Sequence, residues 1–339
     1  MDVSIDTLRD LMISALRLRG VTGADAAFVA QDFLDAQLEG KPTHGIGKFL
    51  LIDQALKARL GAPETVRQHG ATALVDAHRQ LGQLAARDAT ELAITLARQH
   101  GVGLVTLRNF SRFGRLEPYG RLITTASCVG IVLNDAGPPA VVPTGAKQAL
   151  LGTNPVCFAF PDGDEGLVID FSSAERVWGE IRQAMLEHRP LPAGAFFDAD
   201  GKPTTDPERA EGVLPFGGHK GYALCLSLEL LAGTLTATAV GGSVHDEYDL
   251  GAVFLAAAPE LITGSTDASA LASGLAHEIR ELPPQPGLSS VLIPGDKARD
   301  TRRRNVAEGR VSIDDGALRG LEQMSKSADA VLASTNKTN

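Results

Sequence analysis

The sequence predicts a mixed α/β or α+β protein that is divided into two domains. Long apolar segments with helix periodicity and short segments rich in Val, Ile and Phe alternate along the chain, which argues against an all-helical fold. A chain of 339 residues exceeds the usual size of one compact core, so two domains are expected. Gly and Pro mark most of the predicted breaks between elements.

The first part of the chain alternates between helices and short strands. We expect helices at 4–18, 23–39, 43–60, 79–100 and 115–127. Pro118 suits the first turn of the last of these helices. Strands are expected within 64–77, at 103–108 and at 130–134, and the polar loop Asn109–Gly114 follows the second of them.

The second part of the chain contains strands bounded by turn residues, followed by helices. Strands are expected at 156–160, 167–171, 253–257 and 289–293. Helices are expected at 176–188, 220–235, 266–281, 296–309 and 315–333. A polar, proline-rich loop with a turn at Asp198–Gly201 is expected between 190 and 207.

Composition argues against binding to nucleic acid or to a membrane. The formal net charge is −9, and the basic run Arg302–Arg304 is expected to be a solvated helix face. No apolar run approaches the ~20 residues that span a bilayer, and the N-terminus does not resemble a signal peptide. Cys128, Cys157 and Cys225 lie in apolar surroundings, which indicates buried, reduced thiols. We therefore expect a cytoplasmic protein.

A short turn with three polar side chains lies between two predicted N-terminal helices. Gly40 is expected to end the first helix, and Thr43, His44 and Lys48 follow it closely. An imidazole, a hydroxyl and a cation on one turn can bind an anionic substrate and exchange a proton with it. On spacing alone the alternative is favoured, a helix-capping Thr beside a surface His, because polar clusters are common in loops.

A glycine-rich loop opens the strongly apolar predicted helix at 220–235. Gly217 and Gly218 precede Lys220, so free backbone N–H groups and a full positive charge are expected at the positive end of a helix. This arrangement is suited to binding phosphate. The alternative, which the residues support equally, is a tight loop whose glycines only permit close packing.

Polar residues also follow several predicted strands. Asp170, Ser172 and Ser173 close one strand, while Lys147 and the segment Gly152–Pro155 precede another. The chain contains no G-x-G-x-x-G fingerprint and no Walker loop, which excludes the usual nucleotide motifs. His, Cys and carboxylate residues lack metal-ligand spacing, and His245, Asp246 and Glu247 are adjacent, so no metal site is predicted.

Four of these segments together resemble the malate/L-lactate dehydrogenase family of the second type. They are Thr43–Gly45, Leu151–Pro155, Asp170–Ile181 and Pro215–Tyr222, in the family's order and spacing. That family includes sulfolactate, ureidoglycolate and diketogulonate dehydrogenases and cyclic-imine reductases. The resemblance covers nearly the whole chain. It implies a non-Rossmann NAD(P)-binding fold with a central mixed sheet, a helical domain formed by both chain ends, and a homodimer.

The resemblance also implies roles for individual residues. His44 would exchange a proton with the substrate, with Thr43 and Asp170 completing the catalytic group. Lys48, Arg112 and Lys147 would bind the substrate. NAD or NADP would contact Asn154, Ser172, Ser173, His219, Lys220, Gly221, Pro294 and Gly295.

Several positions depart from the family pattern. Thr43 stands in place of Ser and Lys48 in place of Arg, which loses the bidentate fork that an arginine offers a carboxylate. Arg112 stands where the family usually has His, and an arginine cannot serve as a base near neutral pH. Either His44 carries the proton transfer or the chemistry has changed. Ala146, Ala174 and Glu180 replace a usual Gly, Ser and Lys.

The sequence thus predicts an NAD(P)-dependent oxidoreductase that moves a hydride between nicotinamide and C2 of a small, anionic 2-hydroxy or 2-oxo acid. Residues 1–105 with 275–335 would form a helical substrate domain, and residues 106–274 the NAD(P)-binding domain. One alternative is an imine reductase or N-methyl-amino-acid dehydrogenase on the same scaffold. The other is a binding protein that has lost turnover.

Overall fold

The chain forms two compact units. The computed structural model describes residues 1–163, 165–265 and 267–327. The terminal unit joins Met1–Arg59 with the chain from Pro283 onward, and the sheet unit spans Leu60–Leu282. Residues 60–105 and 275–282, which the sequence analysis grouped with the chain ends, are therefore part of the sheet unit. The part of the predicted terminal domain beyond residue 327 lies outside the described residues.

The helices and strands of the described residues are as follows. The helices are α1 (Ile5–Leu18), α2 (Gly23–Leu38), α3 (Ile46–Phe49), α4 (Ile52–Ala58), α5 (Gly82–His100), α6 (Glu117–Thr125), α7 (Gly179–Leu186), α8 (His219–Thr236), α9 (Pro259–Thr263), α10 (Ala268–Arg280), α11 (Asp296–Glu308) and α12 (Asp315–Met324). The strands are β1 (Asp2–Ser4), β2 (Glu64–His69), β3 (Thr72–Gln80), β4 (Val102–Phe110), β5 (Val129–Asn134), β6 (Pro155–Phe160), β7 (Leu167–Ser172), β8 (Phe196–Phe197), β9 (Pro203–Thr204), β10 (Gly212–Val213), β11 (Gly251–Ala257) and β12 (Arg310–Ser312). Short 3-10 turns lie at Pro42–His44 and Gly241–Ser243.

A seven-stranded mixed sheet forms the centre of the sheet unit. Its strand order is β2-β3-β4-β11-β5-β6-β7. β3 and β4 are parallel and are joined by the crossover helix α5, while the other neighbouring strands in this sheet are antiparallel. Because a Rossmann domain needs a largely parallel sheet, this topology confirms the predicted mixed, non-Rossmann fold.

Helices cover both faces of this sheet. Val253 and Phe254 are neighbours on β11 and therefore point to opposite faces. Phe254 packs against the ring of Tyr119 on α6, with centroids 6.1 Å apart. Val253 packs in one apolar cluster with Leu228 of α8. Helix α5 packs closely on β4 at Gly103. A Cβ at this position would lie 2.1 Å from the carbonyl oxygen of Ala93 on α5, so the close approach needs a glycine.

Both ends of the chain build the terminal unit, as predicted. β1 pairs with β12, and α1 packs on α2 and α12. The buried guanidinium of Arg19 forms an ion pair with Asp53 and donates to the carbonyl oxygens of Ala15 and Met324, each at 2.9 Å. One side chain therefore ties the end of α1 to α4 and to the end of α12.

Three predicted elements differ from the structure. The predicted helix 43–60 is broken into a 3-10 turn, α3 and α4, because Gly45 has an extended conformation (φ −89°, ψ −144°) that ends the first turn. Residues 289–293, predicted to form a strand, are irregular, and the N–H of Ile293 donates to the Asp296 carboxylate at the start of α11. The predicted loop 190–207 contains β8 and β9, joined by the expected turn at Asp198–Gly201.

The predicted thiols are found as expected: all three cysteines are buried and free. None of the described helices combines the length and the apolar character that crossing a membrane requires. Within the described ranges, no group of three His, Cys, Asp or Glu side chains is placed to hold a metal ion.

Candidate active site

Each of the two units carries some of the residues proposed for the site. The terminal unit carries Thr43, His44, Lys48, Pro294 and Gly295, and the sheet unit carries the others. Those on the sheet unit are Arg112, Lys147, Asn154, Asp170, Ser172, Ser173, His219, Lys220 and Gly221.

His44 is the last residue of the 3-10 turn between α2 and α3. Its N–H donates to the carbonyl oxygen of Lys41 at 3.0 Å, and its Nδ1 lies 3.1 Å from the hydroxyl oxygen of Thr43. His44, Thr43 and Lys48 are all half-buried. Lys48 lies on the single turn of α3, so the predicted trio shares one short segment although the long helix was wrong.

The backbone of this turn is held by Gln37 of α2. A Cβ on Gly45 would lie 2.4 Å from Oε1 of Gln37, so a larger residue here would displace the end of that side chain. Oε1 of Gln37 accepts from the N–H of Ile46 at 3.4 Å, and Nε2 donates to the carbonyl oxygen of Ser312 at 3.0 Å. The His44 turn is therefore tied to α2 and, through Gln37, to β12.

Pro294 and Gly295 form the turn that begins α11. Gly295 has a left-handed φ of 91° and occupies the N-cap position. The next residue, Asp296, accepts from the N–H of Ile293 at 3.0 Å and pairs with Arg299 at 2.7 Å. These contacts fix the turn, and nothing in them requires a ligand.

Asp170 caps a helix at the carboxyl end of β7. Its Oδ2 accepts from the backbone N–H groups of Leu116 and Glu117, at 2.9 and 3.0 Å, so the carboxylate lies at the positive end of α6. Cys157 is its register partner on β6. Burial, with Asp170 and Glu117 nearby, raises the pKa of the Cys157 thiol far above its usual range, so this thiol is inert.

The two serines after Asp170 bind the loop that precedes β6. Both hydroxyls donate to the carbonyl oxygen of Thr153, at 2.8 Å from Ser172 and 3.0 Å from Ser173. The adjacent Asn154 is fully buried and has a left-handed φ of 32°. Its Nδ2 donates to the carbonyl oxygen of Cys225 on α8 at 3.1 Å.

The loop Pro215–Gly218 lies beside this strand end. The N–H of Phe216 donates to the carbonyl oxygen of Ser173 at 3.1 Å, and its ring packs edge-on against Phe171 with centroids 5.9 Å apart. The structure therefore brings together two segments that are more than forty residues apart in the sequence. We call Asn154, Ser172, Ser173 and the loop Pro215–Lys220 the strand-end cluster.

The glycines of this loop are required for two different structural reasons. A Cβ on Gly221 would lie 1.7 Å from the carbonyl oxygen of Phe216, so Gly221 is required by close packing. Gly217 and Gly218 face open space but have φ of 57° and 64°, so conformation requires them. Within the described part of the chain, the N–H groups of residues 217–221 have no acceptor. With the exposed Lys220, these donors fit the pyrophosphate of a dinucleotide.

Arg112 and Lys147 occupy other parts of the sheet unit. The guanidinium of Arg112 lies against Gly137, where a Cβ would be 2.7 Å from Nη2. Burial lowers the pKa of Arg112, and the nearby carboxylates Glu247 and Asp135 oppose that change. Lys147 is exposed beside an open hollow of about 570 Å³ and packs against Gly201 in the turn between β8 and β9.

Sequence reasoning missed two buried carboxyl groups beside the strand-end cluster. Glu229 of α8 is 1% exposed and accepts from the Nδ2 of Asn154 at 2.6 Å. Asp135, which follows β5, is fully buried. A signal for Glu229 was present, because it is the one charged residue in the apolar stretch between Lys220 and the end of α8.

The seven-stranded mixed sheet, with helices on both faces, defines an α/β protein outside the Rossmann class. The chain belongs to the malate/L-lactate dehydrogenase family, whose model matches residues 3–322. Its relatives include dehydrogenases of hydroxy acids, so the protein is an oxidoreductase.

Individual relatives match over most of their length. The chain is 37% identical to the L-sulfolactate dehydrogenase of Methanocaldococcus jannaschii, covering 85% of this chain and 86% of that protein. The solved structure of the sulfolactate dehydrogenase from this organism superposes with a TM-score of 0.85 over 96% of this chain and 97% of that one. The ureidoglycolate dehydrogenase (NAD(+)) of Escherichia coli is 29% identical, with 93% of each chain covered. The Δ1-piperideine-2-carboxylate reductase structure from Pseudomonas syringae has a TM-score of 0.80 at 30% identity, covering 96% of this chain and 99% of that one.

Proposed function

We propose that this dehydrogenase transfers a hydride between NAD or NADP and C2 of a small 2-hydroxy or 2-oxo acid. The observation that carries the proposal is the strand-end cluster, where free N–H donors and Lys220 at the start of α8 adjoin the serines that close β7. This combination of donors and charge suits a dinucleotide phosphate. The sheet unit is thus proposed as the cofactor-binding domain and the terminal unit as the substrate domain.

The cofactor would be held by the chain's own donors. The N–H groups of Gly217 through Lys220 would bind its pyrophosphate, while Asn154, Ser172 and Ser173 would border it. Pro294 and Gly295 stay proposed contacts on the terminal unit. When bound, the nicotinamide supplies the hydride chemistry. NAD is named for the ureidoglycolate dehydrogenase relative, and NADP is kept as the second candidate.

His44 is proposed to donate a proton to the substrate oxygen during reduction and to accept it during oxidation. The Thr43 hydroxyl, 3.1 Å from Nδ1, would help to fix the orientation of the imidazole. Arg112 cannot exchange protons near neutral pH, so the imidazole would act alone. Lys48, Arg112 and Lys147 are proposed to bind the substrate carboxylate. Asp170, which caps α6, would support this machinery by fixing the strand end.

We also propose that the protein is a cytoplasmic homodimer. Support for an assembly comes from large apolar side chains on exposed helix faces. They include Leu230 and Leu231 on α8, which are 49% and 44% exposed, and Leu271 on α10, which is 83% exposed. Three free, buried thiols agree with a reducing compartment.

Imine reduction is the second candidate function. Its support is the similarity to the Δ1-piperideine-2-carboxylate reductase structure, at 30% identity over nearly the whole chain. A carboxylate next to a C=N bond would make the same demands on His44 and on the cations. The two functions therefore differ only in the atom that receives the proton.

One assay distinguishes these functions. The purified protein is mixed with NADH or NADPH and a panel of 2-oxo acids, with and without methylamine, and with a cyclic imino acid. Consumption of the reduced cofactor with 2-oxo acids in the absence of methylamine supports a 2-hydroxy acid dehydrogenase. Consumption only with methylamine present or with the cyclic imino acid supports an imine reductase. Tight cofactor binding without turnover on either panel would contradict both and favour a binding protein that has lost turnover.

The charge of the substrate gives the first prediction. Lys48 and Arg112 supply fixed positive charge, so a free carboxylate should be required, and its methyl ester or amide should have a KM raised by about 10-fold or more. Steady-state kinetics on an active acid and its ester check this. Equal kcat/KM for both compounds would show that these cations do not bind the carboxylate.

A further inference from the structure

Glu229 is a buried carboxylate that is satisfied by hydrogen bonds. It lies on α8, 1% exposed, and none of the ion pairs of the described residues includes it. Instead, Oε2 accepts from the N–H of Gly152 at 2.9 Å and from Nδ2 of Asn154 at 2.6 Å, and Oε1 accepts from the N–H of Gly241 at 2.7 Å. Three donors, two of them backbone, can stabilise a buried negative charge without a cation.

These donors connect Glu229 to the strand-end cluster. Two of them lie in the loop Gly152–Asn154, and between them is Thr153, whose carbonyl oxygen accepts from the hydroxyls of Ser172 and Ser173 at 2.8 and 3.0 Å. Asn154 is held in a left-handed conformation that a non-glycine residue keeps only when its surroundings enforce it. A continuous chain of contacts therefore runs from Glu229 through the loop to the serines.

Asp135 lies on the other side of this loop. Its Oδ1 accepts from the N–H of Gly137 at 3.0 Å, whereas its fully buried Oδ2 has no hydrogen-bond partner in the described part of the chain. A Cβ on Gly152 would lie 2.9 Å from Oδ1 of Asp135 and 2.4 Å from Oδ1 of Asn154. The loop is thus packed between the two carboxyl groups without room for a methyl group.

A buried carboxyl group with another carboxyl group nearby is harder to ionise than one in water. The charged groups that act on Asp135 are Glu229, Asp249 and Arg112. Burial, together with Glu229, raises the pKa of Asp135 to about 7. Asp135 is therefore protonated below neutral pH and ionises as the pH rises through about 7.

We propose that Glu229 is a positioning residue for cofactor binding: it holds the loop Gly152–Asn154, and through Thr153 the hydroxyls of Ser172 and Ser173, in the conformation that receives the dinucleotide. The inference rests on the proposed cofactor site. Glu229 itself touches neither cofactor nor substrate. Its carboxylate fixes the loop Gly152–Asn154 through the N–H of Gly152 and the side-chain amide of Asn154.

The test replaces the carboxylate with an amide of the same shape, Glu229→Gln. The amide nitrogen cannot accept, so either the Gly241 bond or the pair of bonds from Gly152 and Asn154 is lost. Loss of a charged, buried hydrogen bond predicts a rise of about 10-fold to 100-fold in the Kd and KM for NADH or NADPH. The KM for the 2-oxo acid should stay within about 3-fold, a separation between the two substrates that general destabilisation does not produce.

Leu228→Ala is the matched control. Leu228 neighbours Glu229 on α8 and packs against the sheet, so its truncation should lower Tm without removing a hydrogen bond of the loop. We expect its Kd for NADH to stay within about 3-fold of wild type. If Leu228→Ala and Glu229→Gln weaken cofactor binding equally, or if Glu229→Gln binds NADH as wild type does, the positioning role is wrong.

A second measurement decides the case in which Glu229→Gln does not fold. In the wild type, ionisation of Asp135 beside Glu229 should loosen the loop, so the Kd for NADH should rise as the pH increases from about 6 to 8. Asp135→Asn should bind with a Kd that lacks this rise. The same pH dependence in both proteins would overturn the inference. Wild-type protein that binds neither NADH nor NADPH at any pH would instead overturn the proposed function.

Discussion

At the scale of single residues, the site depends on side chains that fix backbone as much as on those that can react. His44 lies in a turn that Gln37 holds through a backbone N–H and through the close approach of Gly45. Asp170 fixes the start of α6 with two backbone hydrogen bonds. Reactive and supporting side chains therefore make separable predictions.

His44→Gln tests the reactive role. The amide keeps the size and polarity of the imidazole but cannot transfer a proton, so kcat should fall by about 10²–10⁴-fold while the Kd for the reduced cofactor stays near the wild-type value. Steady-state kinetics and fluorescence titration measure the two quantities. The limb of the wild-type pH profile that reports an imidazole should also disappear. His69→Gln, on the exposed strand β2, is the matched control and should keep the wild-type kcat. A wild-type kcat for His44→Gln would show that the proton comes from another group.

Asp170→Ala tests the supporting role. Removing the cap leaves the N–H groups of Leu116 and Glu117 without the carboxylate, which should lower the free energy of unfolding by about 1–2 kcal/mol. Urea denaturation measures this change. Asp170→Asn keeps an acceptor oxygen at the same place and should recover much of the loss. Equal stability of Asp170→Ala and wild type would mean that α6 does not depend on this cap.

At the scale of elements, α8 joins two functions in one helix. Its first turn presents N–H donors and Lys220 to solvent, and its middle carries the buried Glu229.

Lys220→Ala should weaken binding of the preferred cofactor by about 10-fold, because a charge-assisted contact to phosphate is lost. Folding should be unaffected, because Lys220 is exposed at the start of the helix. Titration with NADH and NADPH measures the change. Lys202 lies between β8 and β9 and its side chain is 73% exposed, so Lys202→Ala should bind the cofactor as wild type does. An unchanged Kd for Lys220→Ala would show that the start of α8 does not bind phosphate.

Most helices and the strands of five or more residues were predictable from the sequence, whereas strands of two or three residues were not. The apolar pattern of 220–235 predicted α8 within a residue at each end, because many positions agree. β1 and β12 contain three residues each and exist only because they pair with each other across the whole chain. Conversely, the apolar run at 289–293 has the composition of a strand but is irregular in the structure. Local pattern does not contain this information, since pairing is decided by tertiary structure.

The candidate site was predictable where a motif carries it. The His44 turn and the glycine loop were found from residue types and spacing, and the family resemblance assigned their roles. Glu229 and Asp135 were missed because a lone acidic residue in an apolar segment does not reveal which backbone groups will meet it. Asp170 was proposed as a site residue from the sequence, whereas its hydrogen bonds to Leu116 and Glu117 depend on how α6 packs on the sheet.

At the scale of the whole molecule, one buried acid should leave a signature in the stability of the protein. Asp135 has a pKa of about 7 in the folded chain, compared with about 3.9 for an unfolded aspartate. The folded state binds this proton up to a higher pH than the unfolded state does. The contribution of Asp135 to the free energy of unfolding is therefore fully favourable below about pH 4 and is lost as the pH rises through about 7. The loss amounts to up to about 4 kcal/mol.

Asp135→Asn removes this dependence. The variant should gain unfolding free energy relative to wild type as the pH is raised, with a small difference at pH 5 and a difference of a few kcal/mol, about 2–4, at pH 8. Urea denaturation of both proteins at each pH measures it. A difference between the two proteins that stays constant from pH 5 to pH 8 would show that Asp135 does not hold a proton in the folded state.

The order of strands in the large sheet also constrains how the chain can be made. β4 and β5 follow each other along the chain but do not pair, because β11 lies between them and bonds to both. During synthesis, the half with β2, β3 and β4 and the half with β5, β6 and β7 each expose an unpaired edge until Gly251–Ala257 has left the ribosome. A nascent chain that stalls before that point exposes the unpaired edges of β4 and β5. These edges can bind chaperones or pair with other chains and aggregate. Ribosome-bound chains that end before residue 251 should therefore be protease-sensitive, and chains that extend well beyond residue 257 should become resistant.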